Sequence, residues 1–481
     1  MSEVTRRRPV RRSLGPPTAA EAAGARIAGV SASMLMAIFL VSLMLPIEPR
    51  IGPVRMTPYN ALQIVLFIPL ILRFRNDPSN RIVPLDLFMA FHVLWIAVVI
   101  YRHYGTTRAV YIVNQTVTIF GGYLIGRVMI RSAADYRRFF TCFFWSLLIF
   151  LPFAVYEMLT RTMLVSEILG RITQVHPRAG QPPRLGLYRV QGFTEHSILF
   201  GLYCSIGVAN FFYIYRDELT RRLTRTGMAA VMTFMSLSSA PVIAVGIQFL
   251  LIAWDRTLKI FAYRWYVLVI SSVFVLAVVQ LGSAEGIIGL VFENLLFDAK
   301  TGWGRIEVFQ YGAAEVLRHP VFGIGLGEWI RPWWRKASVD NFYLATAMRY
   351  GLPALLAFCI GLAVHCLRIM RQRRLSETAA SYRRGYLVAW IGLVFVLATV
   401  NVWGAVSVMV MTYLGAGAWF YAGDAGAAPE PAPHSCADNR TAVARRRAAA
   451  AGSAAPGRAP RRARPVSGRE GYPTQRNGPP E

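Results

Sequence analysis

Charge is scarce in this chain. Only 16% of its 481 residues are Asp, Glu, Lys or Arg, where a soluble globular domain carries about 25%. Beside a hydrophobic content of 55%, that shortage excludes an ordinary soluble enzyme. Cysteine is nearly absent. Cys142, Cys204, Cys359, Cys366 and Cys436 lie in apolar runs or in the tail, without metal-ligand spacing. Neither a disulfide framework nor a zinc site is indicated, and no metal or cofactor is expected. Acidic residues are rare too, 25 against 52 Lys and Arg, for a net charge of +27.

That excess does not mark a nucleic-acid partner, because the basic residues sit mostly between hydrophobic runs. The first 26 residues hold +4 and residues 423–481 hold +5, which leaves +18 of the +27 in the body between them. A body this basic suits a lipid bilayer with anionic headgroups, or an anionic lipid-linked substrate.

What the chain has in abundance is apolar runs of spanning length. The first, Ile27 to Ile47, starts well after the arginine-rich RRRPVRRSLG, lacks a small-x-small cleavage site behind it, and reads as an uncleaved first span. Others follow at 59–72, 84–100, 108–130, 138–158, 195–215, 227–238, 241–254, 265–281, 342–367, 386–400 and 405–421. The expected fold class is an all-α polytopic membrane protein with about 12 transmembrane helices. Three segments follow: a basic cytoplasmic N-terminus over 1–26, a transmembrane domain over 27–422, and a disordered basic cytoplasmic tail over 423–481 that is rich in Ala, Pro, Gly and Arg.

The distribution of arginine tests this parity. With both termini cytoplasmic, the inside loops carry Arg73, Arg75 and Arg81, then Arg131, Arg137 and Arg138, then Arg216 to Arg225, and finally the dense set from Arg368 to Arg384. The short outside loops keep only Arg50, Arg55, Arg102 and Arg108. The turn at Ser238-Ser239-Ala240-Pro241 is the point where one kinked helix would replace two.

Two outside segments are long, 159–194 and 282–341. The second interleaves Trp303, Trp329, Trp333 and Trp334 with Arg305, Glu307, Arg318, His319, Glu328, Arg331 and Arg335. A loop so long and chemically mixed carries function, or lies amphipathically on the outer leaflet.

From Arg305 the chain reads RIEVFQYGAAEVLRHPVFGIGLGEWIRPWWRKASVDNFYLATAMRYG to Gly351, and Arg189-Val190-Gln191-Gly192-Phe193 stands just before the span near Glu195. These segments resemble the O-antigen ligase and Wzy-type polysaccharide polymerase family. Its pattern has an Arg, a helix, a His-Pro-x-x-Gly-x-Gly turn and a His-Asn pair with nine residues to a Gly. An Arg-x-x-Gly-Phe ahead of a helix is a second mark. The plan of about 12 spans with one large periplasmic loop, 282–341, before the tenth is similar as well. One position departs: Asp340 stands where the ligases have histidine.

The resemblance implies a GT-C-like fold in the bacterial inner membrane and an inverting, metal-independent glycosyl transfer at its outer face. The donor would be a glycan on undecaprenyl pyrophosphate. The sugar acceptor would sit on another repeat unit, as in O-antigen or exopolysaccharide polymerisation, or on the lipid A core of lipopolysaccharide. A chain-length regulator would be a further partner. Such chemistry needs cations to hold the leaving pyrophosphate and a base to take the acceptor's proton. The expected catalytic residues are Asp340 as base, with Arg305 and Arg189 as bidentate phosphate ligands. Each arginine also has a plain reading as a headgroup anchor, and Asp340 as the cap of the helix that follows.

Asn341, His319, Arg349, Glu195 and His196 are the expected substrate-binding residues. The His319-Pro320 turn and its glycines read first as structure, since Pro ends a helix and Gly supplies positive φ. Arg349, inside an apolar run, marks a site or a buried pair. A multispanning transporter is the competing class, but no internal repeat is present.

Overall fold

This computed structural model describes residues 26–27, 30–51, 54–77, 80–261, 263–282 and 299–421. The expected N-terminal segment before Arg26, the tail from 423, and residues 283–298 of the expected large loop lie outside the described residues.

Every one of the twelve apolar runs falls on helix. In chain order these are Ala32–Met44, Pro58–Asn76, Pro84–Tyr104, Ala109–Thr116 continued by a π turn into Gly122–Met129, Ala133–Thr160, Ser197–Ile214, Leu219–Met235, Ser239–Thr257, Arg264–Gly282, Phe342–Arg371, Glu377–Leu397 and Gly404–Ala416. Two further helices, Leu164–Gly170 and Ala299–Arg318, lie in the two long segments expected outside. Side chains of Ser31, Thr57, Ser132, Asn341 and Ser376 accept the third backbone N–H of the helices they precede, which satisfies donors a helix start leaves orphaned. Among the described residues, strand is confined to two-residue antiparallel pairs, Arg26–Ile27 with Val30–Ser31 and Arg50–Ile51 with Val54–Arg55. The protein is an all-α, multi-pass membrane protein.

The count of about twelve crossings is not reached by length and apolarity. Among the described residues six stretches qualify: Pro84–Met129, Ala133–Thr160, Ser197–Ile214, Ser239–Thr257, Phe342–Arg371 and Gly404–Tyr421. The reasons are local. Ala32–Met44 has 13 residues, a rise of about 20 Å against a core of about 30 Å. Leu219–Met235 begins with Arg221, Arg222 and Arg225. Pro84–Met129 joins two runs in one stretch, yet Trp95 Nε1 donates to the Tyr350 carbonyl and the Tyr111 hydroxyl bonds the Tyr350 hydroxyl. The chain therefore folds back near Gly105, whose φ is 56°.

The Ser197 and Gly404 helices form the centre, buried on nearly every face. Helices around them turn large apolar side chains outward, among them Leu87, Leu94, Ile149 and Leu250, a surface suited to lipid rather than water. Close approach of Gly122–Met129 to the Gly404 helix depends on missing side chains. A Cβ on Gly126 would lie 1.9 Å from the Thr412 carbonyl and one on Gly415 2.1 Å from that of Tyr123, while Thr412 Oγ1 donates to the Gly122 carbonyl at 3.0 Å. This is the small-residue packing by which helices associate in lipid. Between the Pro84 and Gly122 helices, Asp86 pairs with Arg127 at 3.0 Å and accepts from the Tyr123 hydroxyl, so neither buried charge stands alone.

The doubtful turn at Ser238 is a true break, with separate helices ending at Met235 and starting at Ser239 and Leu237 in the left-handed region at φ 44°.

Candidate active site

The Arg189-to-Phe193 segment is held from behind by one buried carboxylate. Glu157, at the end of the Ala133 helix, accepts from the backbone N–H groups of Gln191 and Gly192, both at 2.9 Å, and pairs with Arg178 at 3.1 Å. The Val190 N–H donates to the Met235 carbonyl at 3.1 Å. These bonds deliver Arg189, 8% exposed, to the Ser236–Ser238 turn, where its Nη2 donates to Ser238 Oγ at 2.9 Å. Arg184 reaches the same turn through the Leu237 carbonyl at 2.8 Å.

Against this turn stand Arg305, from the Ala299 helix, and Asp340, from the approach to the Phe342 helix. Arg184, Arg189, His196, Ser238, Arg305 and Asp340 share the walls of one cavity of about 290 Å³. Three of the residues expected from sequence, Arg189, Arg305 and Asp340, thus converge from segments 116 and 35 residues apart.

The cavity is electropositive and strained by it. Burial, and then the charge of Arg184, push the Arg189 guanidinium down to about 10. Burial lowers Arg305 as well, with Arg184 adding to the shift and Asp340 opposing it. The Nε of Arg305 is buried without a hydrogen-bond partner, a cost that a bound anion would remove. Both arginines remain charged at neutral pH. Ordinary burial energetics disfavour three cations facing one carboxylate unless a multiply charged anion completes the set.

The candidate bases separate by geometry. Asn341, not Asp340, caps the Phe342 helix: its Oδ1 accepts the Leu344 N–H at 2.9 Å. The capping reading of Asp340 is overturned, and Asn341 is occupied structurally and lines neither cavity described here. Asp340 is exposed and is the carboxylate on this cavity's wall. His196 is pushed down to about 4 by burial and by Arg189 and Arg184, so it is neutral at working pH. Its Nδ1 accepts the Ile198 N–H at 3.2 Å. The imidazole proton therefore resides on Nε2, which makes His196 a donor into the cavity rather than a base.

Three expected residues are elsewhere. Glu195 turns toward His176 at 3.9 Å and against the Cα of Gly404, with burial raising its carboxyl. His319 is half exposed beside Glu315 at 3.6 Å. Arg349 lines a second cavity.

The His319–Gly327 segment explains its own glycines. The Ile324 and Gly325 N–H groups donate to the carbonyls of Met348 and Arg349, and the Leu352 N–H to that of Pro320. This backbone pairing requires the Phe342 helix to open at Gly351, φ 79° and ψ 171°. A Cβ there would meet the Val321 carbonyl at 1.9 Å. The turn is structural, and it clamps the stub of helix that follows Asp340.

For a cation, the group with ligand chemistry among the described residues is Glu48, His176 and Glu195, whose ligand atoms lie within 4.8 Å of one another. His176 Nδ1 already bonds Glu48 at 2.7 Å, so the imidazole serves as a tie between the segment after the Ala32 helix and the 159–194 segment. Backbone bonds from Glu48 to Gln174 and from His176 to Pro46 make the same connection.

Sequence reasoning missed Arg184, Glu157 and Ser238. No motif marks them; only the buried acid in an apolar run, Glu157, carried a signal, since such a group needs partners.

No curated protein matches the chain. Residues 226–359 match the O-antigen ligase family model, a stretch holding the Ser238 turn, Arg305, the glycine turn, Asp340 and Gly351. Over residues 226–359, which hold these groups, the chain is similar to the O-antigen ligase family.

Proposed function

We propose that the protein polymerises oligosaccharide repeat units carried on undecaprenyl pyrophosphate, by inverting, metal-independent glycosyl transfer at the outer face of the bacterial inner membrane. The observation that carries the reading is the convergence of Arg184, Arg189 and Arg305 on a cavity with Asp340. A sugar pyrophosphate supplies the missing negative charge, and guanidinium forks match its oxygens.

In this reading, the acceptor hydroxyl attacks the anomeric carbon from the face opposite the pyrophosphate. The new C–O bond forms as the glycosyl C–O bond breaks, and the electron pair leaves on the lipid pyrophosphate, where the arginines hold its charge. Asp340 takes the hydroxyl proton. Ser238 holds the Arg189 guanidinium and Glu157 the backbone that follows it.

The topology belongs to the same proposal. Residues 27–422 form the membrane domain, 282–341 lie outside, and both termini are cytoplasmic, as the arginine-rich loops require.

A second reading, transfer of finished glycan to a lipid A core, draws support from the description of the matching family as O-antigen ligase. A deletion strain tests both. Single repeat units left on lipid support the polymerase. Full-length polymer that never reaches lipid A supports the ligase, and unchanged surface glycan overturns glycosyl transfer altogether.

A further inference from the structure

A second cavity, of about 260 Å³, opens beside the first. Asp340 lines one and Phe342 the other, so the two flank the same helix start. Its walls come from the first turn of the Pro58 helix, the Ala109 helix, the Phe342–Tyr350 stub, and the approach to the Gly404 helix.

Its chemistry differs from that of the arginine cavity. Four carboxamides, Asn60, Asn114, Gln115 and Asn401, stand with Trp403 and a single cation, Arg349. Asn60 Nδ2 donates to Asn114 Oδ1 at 3.1 Å, and Gln115 Nε2 to the Tyr111 hydroxyl at 2.9 Å. These bonds orient the amides and use a fraction of the four hydrogen bonds each can make. Trp403 is 41% exposed. Amides that both donate and accept, together with an exposed aromatic face, match alternating hydroxyls and C–H faces of a sugar ring. Arg349 is exposed within an apolar helix and bonds the Tyr350 side chain, while no carboxylate pairs with it among the described residues. An unpaired cation in such a helix is costly, and an acidic ligand offsets that cost.

We infer that this cavity is the acceptor subsite and that it holds a sugar bearing an anionic substituent, with Arg349 reading the charge and Trp403 the ring. The acceptor role rests on the glycosyl-transfer reading above; the sugar site itself rests on the cavity.

Saturation-transfer NMR on the full-length protein in nanodiscs tests it, with methyl β-D-glucuronide, methyl β-D-glucoside and sn-glycerol 3-phosphate as probes. The wild type is expected to transfer most strongly to the glucuronide. Arg349→Gln should bind the glucuronide about tenfold more weakly, the scale of a lost charged hydrogen bond, and no better than the glucoside. Trp403→Ala, a change at an exposed position, should weaken both glycosides. Absence of transfer to either glycoside, an Arg349→Gln profile equal to wild type, or binding of glycerol phosphate alone, which would mean a lipid headgroup site, overturns the inference. Phosphorus line broadening of inorganic pyrophosphate on the same samples reports the donor cavity separately. If pyrophosphate fails to bind while the glucuronide response follows Arg349, the donor reading falls and the sugar site stands.

Discussion

Asp340 and Asn341 are neighbours with opposite duties, and exchanging them separately measures each. Asp340→Asn leaves the cap untouched, because the Leu344 N–H is held by Asn341 at 2.9 Å. Asp340 is exposed, so the folded protein should change by less than about 0.5 kcal/mol. What it removes is the carboxylate proposed to take the acceptor's proton. Loss of a general base costs roughly 10² to 10⁴ in rate, or about 3 to 5 kcal/mol at 1.36 kcal/mol per tenfold. Asn341→Ala inverts the pattern: it deletes the cap, at about 1 kcal/mol of stability, and keeps the base. The assay is polymer formation from purified lipid-linked repeat units in proteoliposomes, paired with a thermal melt of each variant. Asp340→Asn should melt as wild type and make almost no polymer. Asp340→His, which brings in the residue the related ligases carry, should retain part of the rate. If Asp340→Asn polymerises at the wild-type rate, the base assignment fails outright, since the carboxylate of Glu195 lies off this cavity and His196 presents a proton rather than a lone pair.

Other outcomes follow from the same geometry. Arg189→Lys and Arg305→Lys should each slow transfer by roughly 10² or more, because an ammonium cannot grip a pyrophosphate as a fork does; wild-type turnover in both would return them to headgroup anchors. Gly351→Ala should cost about 2 kcal/mol or more in a detergent melt, from a left-handed φ and the 1.9 Å approach of the Val321 carbonyl; an unchanged melt would refute the interlock. The His176 tie has a pH signature. His176 is raised above 6.5: burial lowers it, but the Glu48 hydrogen bond and the charges of Glu195 and Glu48 outweigh that. Glu48 is held below 4.5 by its hydrogen bond to His176. The imidazolium's contribution is complete below 6.5 and lost as pH rises through its raised value, while the carboxylate's is present above 4.5 and lost on acidification through its depressed value. The melting difference between wild type and His176→Gln should therefore be larger at pH 6 than at pH 8.5, and a constant difference would rule the pair out. In a cysteine-free background, Lys336→Cys should label with an impermeant reagent and Arg373→Cys should not; equal labelling would break the topology.

The sequence was legible wherever physics is local. Apolar runs became helices because spanning hydrophobicity and helix propensity act over contiguous residues, and the meeting of Arg189, Arg305 and Asp340 on one cavity was foreshadowed by their fixed offsets from Gly192, Gly323 and Gly351. Arg184 was not, since its place depends on a Leu237 carbonyl 53 residues away. The choice between Asp340 and Asn341 as cap was a one-residue question that only backbone geometry answers. His319, drawn toward the chemistry by its position in the motif, belongs instead to the backbone clamp, where the Pro320 carbonyl and the Gly323 turn do the holding. Crossing number is legible only in part for a physical reason as well: among the described residues six stretches are long and apolar enough to cross, while apolar stretches such as Ala32–Met44 form shorter helices.

The pairing of the glycine turn with the opened helix at Gly351 governs how this site can diversify. Donors and acceptors in that clamp are main-chain atoms of Pro320, Ile324, Gly325, Met348, Arg349 and Leu352, so the register between the Arg305 helix and Asp340 is written in the backbone. The exposed side chains between them, Ile330, Trp333 and Trp334, carry none of it. The outer wall can be rewritten residue by residue, while the spacing of Arg305 and Asp340 stays as it was.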